Sequence, residues 1–419
     1  MSADGRILVV GTTPDYIDWL AGHYPGRAVF VTESSLRKSS EFPAPAADSE
    51  VLFSQPDVET VARLLDAHSR RYSQHWSGIT CFDCESLELA AELAEMFKLP
   101  FAPKHAVVSC RNKRSTRCRW DSDGVRTPQS SLVSDVDSLM RFFATIAGPV
   151  VIKPLTASGS ELVFVCRTDD DCRRNFNTLM TQMHTRGANR LFENRSAAVA
   201  EEFVEGPEYS CDFYISDGKA KILRIAKKYL YDGQWPGIIK AYEIPGTLPA
   251  GMNMASLAES LERAADSLGI ANTIIMTDFI VNRNEACFLE MTPRPGGDCL
   301  PQMYRNSGGR DMLGLAVEYA ANGKLPAIDP QNGMRRVAGL RLFAHRGGVL
   351  QDIAFDKLAG LPILETCTIG PVGRRIVMPP DDYDSWKLGN VIFAPCDSLP
   401  VEKQCDEILA RLNRGVWIK

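Results

Sequence analysis

The chain has 419 residues, 45% hydrophobic and 24% charged, with a formal net charge of −5. That balance is ordinary for a globular protein of about two to four domains. With no arginine-rich segment it gives no footprint for nucleic acid, and no apolar run approaches the length needed to span a bilayer.

In chain order, Arg6–Gly11 is a buried-strand run ending in glycine, reached directly from Met1 without a signal-peptide core. Tyr16–His23 reads as a helix, Ala28–Thr32 as a strand, Val58–Tyr72 as a helix, Gly78–Phe82 as a strand and Glu85–Phe97 as an amphipathic helix stopping near Pro100. This alternation predicts a parallel, doubly wound sheet. Thr12-Thr13-Pro14 follows Gly11, so no G-x-G-x-x-G dinucleotide fingerprint forms, and the unit reads as scaffold or part of a substrate wall. Asn112–Asp123 is helical and basic. Asp135–Ala147 is a helix, Pro149–Pro154 and Leu162–Cys166 are strands, and Asp169–His184 is a helix. Ala197–Phe203 and Glu208–Ile215 are strands, Ala255–Leu268 is a helix, and Thr273–Val281 with Ala286–Met291 forms a hairpin turned by Asn282–Glu285. A helix spans Asp311–Asn322. The last 90 or so residues alternate short strands with glycines and end in a helix, Pro400–Leu412, as a smaller β-rich subdomain.

Twelve cysteines lie scattered without a disulfide-like framework, which fits a reducing cytoplasm. The single CxxC, Cys81–Cys84, has no second pair to complete a metal or redox site and reads as small residues at a strand end. The six histidines have no metal-ligand spacing.

The hairpin is the most informative segment. Folded back, Asp278 and Glu290 oppose each other on one face, where like charges destabilise the ladder unless a cation lies between them. Two carboxylates without thiolate or imidazole suit Mg²⁺ carrying a nucleotide phosphate. Arg294, further along the same strand face, adds a fixed fork for an anion. Taken alone, the pair is equally compatible with a polar, solvent-facing hairpin. Lys153 closes the strand Val150–Lys153 beside the small-residue loop Ala157-Ser158-Gly159-Ser160, a workable phosphate cradle; alone it is the weaker reading beside a strand-end lysine reaching solvent. No G-x-x-x-x-G-K-[ST] occurs, which excludes a P-loop. In Glu201–Glu208 a strand breaks at Gly206-Pro207. Main-chain groups at such a break can read an adenine edge and a carboxylate can accept from ribose hydroxyls, although an acidic turn between edge strands has the same sequence.

The order Lys113, Lys153 with its loop, Glu201–Glu208, Asp278 and Glu290-x-x-x-Arg294 resembles the ATP-grasp superfamily over most of the chain, and within it the L-amino-acid ligase (carboxylate–amine ligase) branch. The resemblance implies an ATP-grasp architecture of mixed α/β and α+β class. Its parts would be an N-terminal doubly wound domain (1–103), a grasp domain (104–325) with a lid at about 125–200, and a C-terminal β-rich cap (326–419). It implies ATP binding by Lys113, Lys153, Ser158, Gly159, Ser160, Glu201, Glu202, Phe203, Val204 and Glu208. Mg²⁺, or Mn²⁺ in its place, would be held by Asp278, Glu290 and Thr292, and Arg294 and Lys153 would be catalytic. Thr292 stands where the family has asparagine, a better metal ligand. The implied reaction activates a small carboxylate as an acyl phosphate, which an amine then displaces, in a cytoplasmic enzyme without nucleic-acid or membrane partners; homodimers are common in the superfamily. Two alternatives remain: a bicarbonate-activating carboxylase or carbamoyl-phosphate-type enzyme, and a nucleotide-binding module without turnover. The segment Lys227-Lys228-Tyr229…Trp235-Pro236 reads either as substrate-pocket lining or as an exposed loop.

Overall fold

The computed structural model describes residues 5–157, 159–185, 196–231, 237–325, 333–412 and 416–418. Four parallel strands open the chain, in the spatial order Glu50–Phe53, Ala28–Glu33, Arg6–Val10, Trp76–Cys81. Most of their residues are apolar and buried, because helices cover both faces, as parallel sheets require. The expected unit is present with one addition: Glu50–Phe53 is a fourth, edge strand, whose single four-residue run is too short for a pattern to stand out.

A second sheet is antiparallel, in the order Ser130–Val133, Ala198–Glu202, Val150–Pro154, Phe164–Cys166. Helices Val136–Ile146 and Asp169–Thr185 pack on it. The first starts in a capping box, with Asp135 accepting from the Ser138 amide at 2.7 Å.

The central sheet has eight antiparallel strands: Glu285–Thr292, Ile274–Asn282, Glu208–Ser216, Lys219–Leu230, Ile239–Ile244, Val337–Phe343, Lys387–Phe393 and Ile363–Thr368. The last three belong to the β-rich C-terminal part, so that part extends the central sheet. Helix Met254–Leu268, capped by Asn253, buries Leu257, Leu261 and Ala264 on the central sheet, in the same core cluster as the Trp120 side chain. The strands Lys219–Leu230 and Ile239–Ile244 correct the loop reading of the segment beginning at Lys227; Trp235 and Pro236 lie outside the described residues. Among the described residues, no helix is long and apolar enough to cross a membrane.

Candidate active site

A cavity of about 1060 Å³ lies between the second sheet and the central sheet, with Cys84, Glu85 and Leu87 of the N-terminal unit also lining it. The hairpin that forms its floor pairs Asp278 directly with Glu290. Arg283 and Asn284, at φ 54° and 63°, close the turn in the left-handed geometry that suits a two-residue hairpin. One residue after the acidic pair the ladder bulges: Phe279 pairs with Phe288, and Leu289 is left over. Its carbonyl accepts from the Arg117 guanidinium.

Burial raises Asp278 to about 7, with Lys228 pulling against it and Glu290 and Glu208 adding to it. Burial pushes Glu290 upward as well, but Lys113 and Lys228 outweigh it and hold the carboxyl below its usual range. Asp278 Oδ1 is buried with no hydrogen-bond partner among the described residues. A divalent cation would satisfy that oxygen and take over the charge. No cluster of three or more His, Cys, Asp or Glu is assembled among the described residues. A cation placed there would meet two carboxylates, leaving its remaining positions to phosphate oxygens, water or a neighbouring hydroxyl, an arrangement that suits Mg²⁺. Thr292, in register with Met276, also lines the cavity.

Lys228, in the segment read either as substrate-pocket lining or as an exposed loop, lines the cavity. Its ammonium lies 2.5 Å from Asp278 and 2.7 Å from Glu208, and these two carboxylates overcome the downward pull of burial to raise its pKa. Glu208, expected at a ribose, is engaged by this lysine.

Lys113 and Lys153 also line the cavity, close enough to Glu290 to lower its pKa. Lys113 Nζ donates to the Ala157 carbonyl at 2.5 Å. Burial lowers it to about 8, Glu290 working against the shift and Lys153 adding to it. Lys153 Nζ lies 2.7 Å from Glu201, whose other oxygen is 3.0 Å from Arg117. Glu201 is only 2% exposed. Burial would raise its pKa, but Arg117 and Lys153 hold it down. Glu201 lines the cavity, with its carboxylate held between Lys153 and Arg117. Glu202 and Phe203 donate main-chain bonds to Gln129 and Pro149, which fixes the strand exit carrying Val204. Gly206 then passes so close to the hairpin that a Cβ would meet the Val281 carbonyl at 2.2 Å. Gly159 and Ser160 line the cavity; Ser158 lies outside the described residues.

Arg294 also lines the cavity, but not from the strand expected. The strand ends at Thr292, because Pro293 and Pro295 cannot donate to a ladder. The guanidinium is set against the N-terminal unit, with Nη2 and Nε 3.0 and 3.2 Å from Cys84 Sγ and Nη1 2.7 Å from the Pro295 carbonyl. Burial would lower its pKa, but Cys84 outweighs that and raises it. The CxxC thus contributes a cavity wall through Cys84. Behind Arg294, Asp212 and Arg224 form a fully buried ion pair at 2.7 Å, and Asp212 accepts from the Gly296 amide at 2.9 Å.

Residues 146–302, which hold these groups except Cys84, Lys113, Arg117 and Gln129, match the model of the ATP-grasp domain. The chain carries an ATP-grasp domain. The L-arginine-specific L-amino acid ligase of Bacillus subtilis is 24% identical over 322 residues, covering 73% of this chain and 71% of that protein. The alanine–anticapsin ligase of Bacillus amyloliquefaciens is 21% identical over 246 residues, 56% of this chain; the match spans 52%, about half, of that relative's length. The crystal structure of an L-amino acid ligase from Bacillus licheniformis covers 100% of this chain and 99% of its own, with a TM-score of 0.80 at 18% identity. At that identity the likeness is one of fold: the whole chain, not the ATP-grasp domain alone, follows this architecture.

Proposed function

We propose that this protein is an ATP-dependent ligase that joins a small carboxylic acid, an amino acid or a close analogue, to an amine, releasing ADP and phosphate. The observation that carries the reading is the convergence of Asp278 and Glu290 on one cavity that also receives Lys113, Lys153 and Arg294. A carboxylate is a poor electrophile, and transfer of the γ-phosphoryl group makes it an acyl phosphate that an amine can attack. Lys113 and Lys153 neutralise phosphate charge, and Glu201 with Arg117 keeps Lys153 in place. Asp278 and Glu290, with Thr292, would hold Mg²⁺, which would supply positive charge to offset the nucleotide phosphates. Arg294 orients the acid and then faces the oxyanion that forms when the amine adds. The sheet of residues 130–202 acts as a lid that keeps water from the acyl phosphate. The names of the relatives that activate amino acids support the choice of substrate class.

The test is a phosphate-release screen with ATP, Mg²⁺ and pairs of amino acids, followed by product mass. Release that needs both partners and a product lighter than their sum by one water is expected. Release driven by bicarbonate alone, or none with any pair, would overturn the reading.

A further inference from the structure

We infer that Arg341 and Lys387 form a second anion subsite in the same cavity, separate from Arg294, which takes a substrate carboxylate other than the one being activated. This inference rests on the ligase reading for its substrate class. Both cations come from neighbouring strands of the central sheet, Val337–Phe343 and Lys387–Phe393, where Phe343 is in register with Lys387. Both line the cavity. They share a single counter-ion, Asp298: Arg341 Nε is 2.7 Å from one of its oxygens and the Lys387 ammonium reaches the other. Burial would raise the Asp298 pKa, but Arg341 and Lys387 outweigh that and keep the carboxyl ionised. Two positive charges therefore meet one negative charge.

Arg294 adds a third cation to this end of the cavity. Its Nη1 lies 3.9 Å from where a Cβ would stand on Gly297, the residue before Asp298. Among the described residues it makes contact with a thiol and a carbonyl and has no carboxylate at ion-pair distance. Asp83 and Asp212 act on Arg294 electrostatically, whereas Arg341 and Lys387 share Asp298 and so keep one positive charge unmatched, where unbalanced buried charge is costly. Arg341 is held rigidly for recognition: Nη1 donates to the Ile239 carbonyl at 3.0 Å and the guanidinium lies over Phe343, 4.9 Å from the ring centre. A planar fork fixed in this way suits a carboxylate.

The second carboxylate has two possible sources: a side chain of the acid substrate, as in a dicarboxylic amino acid, or the α-carboxylate of an amino acid serving as the amine. Phosphate release is measured with glutamate against glutamine as the acid, each with a simple alkylamine, and with an amino acid against its amide as the amine. The arm showing the larger preference for the carboxylate identifies the source. Lys387→Met is expected to raise KM for the preferred carboxylate at least tenfold while leaving KM for ATP and for the neutral amide analogue unchanged. Lys387→Arg should restore it. Calorimetric titration of glutarate into the full chain serves as a readout independent of turnover, with binding expected to the native protein and to Lys387→Arg and to be lost in Lys387→Met. Glutarate binding without any phosphate release would leave the subsite standing and remove the ligase reading. Turnover with equal KM for carboxylate and amide substrates, and no effect of Lys387→Met on glutarate, would overturn the subsite.

Discussion

Arg117 is expected to be among the most sensitive positions in the fold, although it reaches no substrate. It is 1% exposed and ties three elements together. From the helix Lys113–Ser122 it pairs with Glu201 in the lid sheet at 3.0 Å and donates to the carbonyl that the hairpin bulge leaves free at Leu289. Its guanidinium also lies 5.7 Å from the ring centre of Trp120. Arg117→Met keeps most of the apolar stem but strands Glu201 beside Lys153 alone. Removing one partner of a buried pair costs about 3–5 kcal/mol. At roughly 2–4 °C per kcal/mol for a domain of this size, the melting temperature should fall by roughly 6–20 °C. Thermal and urea unfolding followed by circular dichroism would measure it. Adding Glu201→Gln to Arg117→Met should cost less than the two single losses combined, because the stranded charge is gone; a coupling of about 1–3 kcal/mol is expected. A loss under about 1 kcal/mol for Arg117→Met, or single effects that add within about 0.5 kcal/mol, would refute the strut.

Glu290→Gln should lower turnover about 10²–10³-fold or more while leaving the unfolding transition nearly unchanged, measured by phosphate release and circular dichroism. Thr292→Asn should tighten Mg²⁺ by roughly tenfold, about 1.4 kcal/mol, since a carboxamide oxygen is a stronger ligand than a hydroxyl; calorimetric titration of the metal tests it. Asp83 gives a pH signature. Burial, with Glu85 adding to it, raises its pKa to about 6 from an ordinary 3.8. The folded protein therefore binds this proton more tightly than the unfolded chain, and the stability it contributes is present below the ordinary value and lost as pH rises towards 6. Asp83→Asn, which can still accept from the Ser86 amide at 2.7 Å, should gain stability relative to the native chain at pH 7.5 but not at pH 3.5 in paired urea titrations. An equal difference at both pH values would contradict the buried-proton argument.

The hairpin was legible because local patterning carries it, in two β-prone runs and a turn of the right length; the carboxylates stand one residue out of step about that turn, and the bulge at Leu289 brings them opposite each other. The helices starting at Asn112 and Asp135 were legible for the same reason, and each opens with a side-chain acceptor three residues before the amide it serves. What escaped is decided by pairing across long sequence separations. Nothing near Lys228 announces Asp278, fifty residues on, and nothing near Glu201 announces Arg117. Cys84 read as an inert strand-end residue because its partner, Arg294, is 210 positions away. The strand end at Thr292 could have been read, since prolines at 293 and 295 both forbid a continuing ladder.

The strand Val337–Phe343 zips onto Ile239–Ile244 over Ala241 to Ile244, carrying two further strands outward. A chain truncated before residue 337 would bare a row of amide and carbonyl groups along Ile239–Ile244, flanked by the newly uncovered Ala226, Tyr242 and Met303. Such a rim is sticky towards other copies of itself. The catalytic half of this protein should therefore be handled only with its tail attached, and fragments ending earlier are expected to precipitate rather than bind nucleotide.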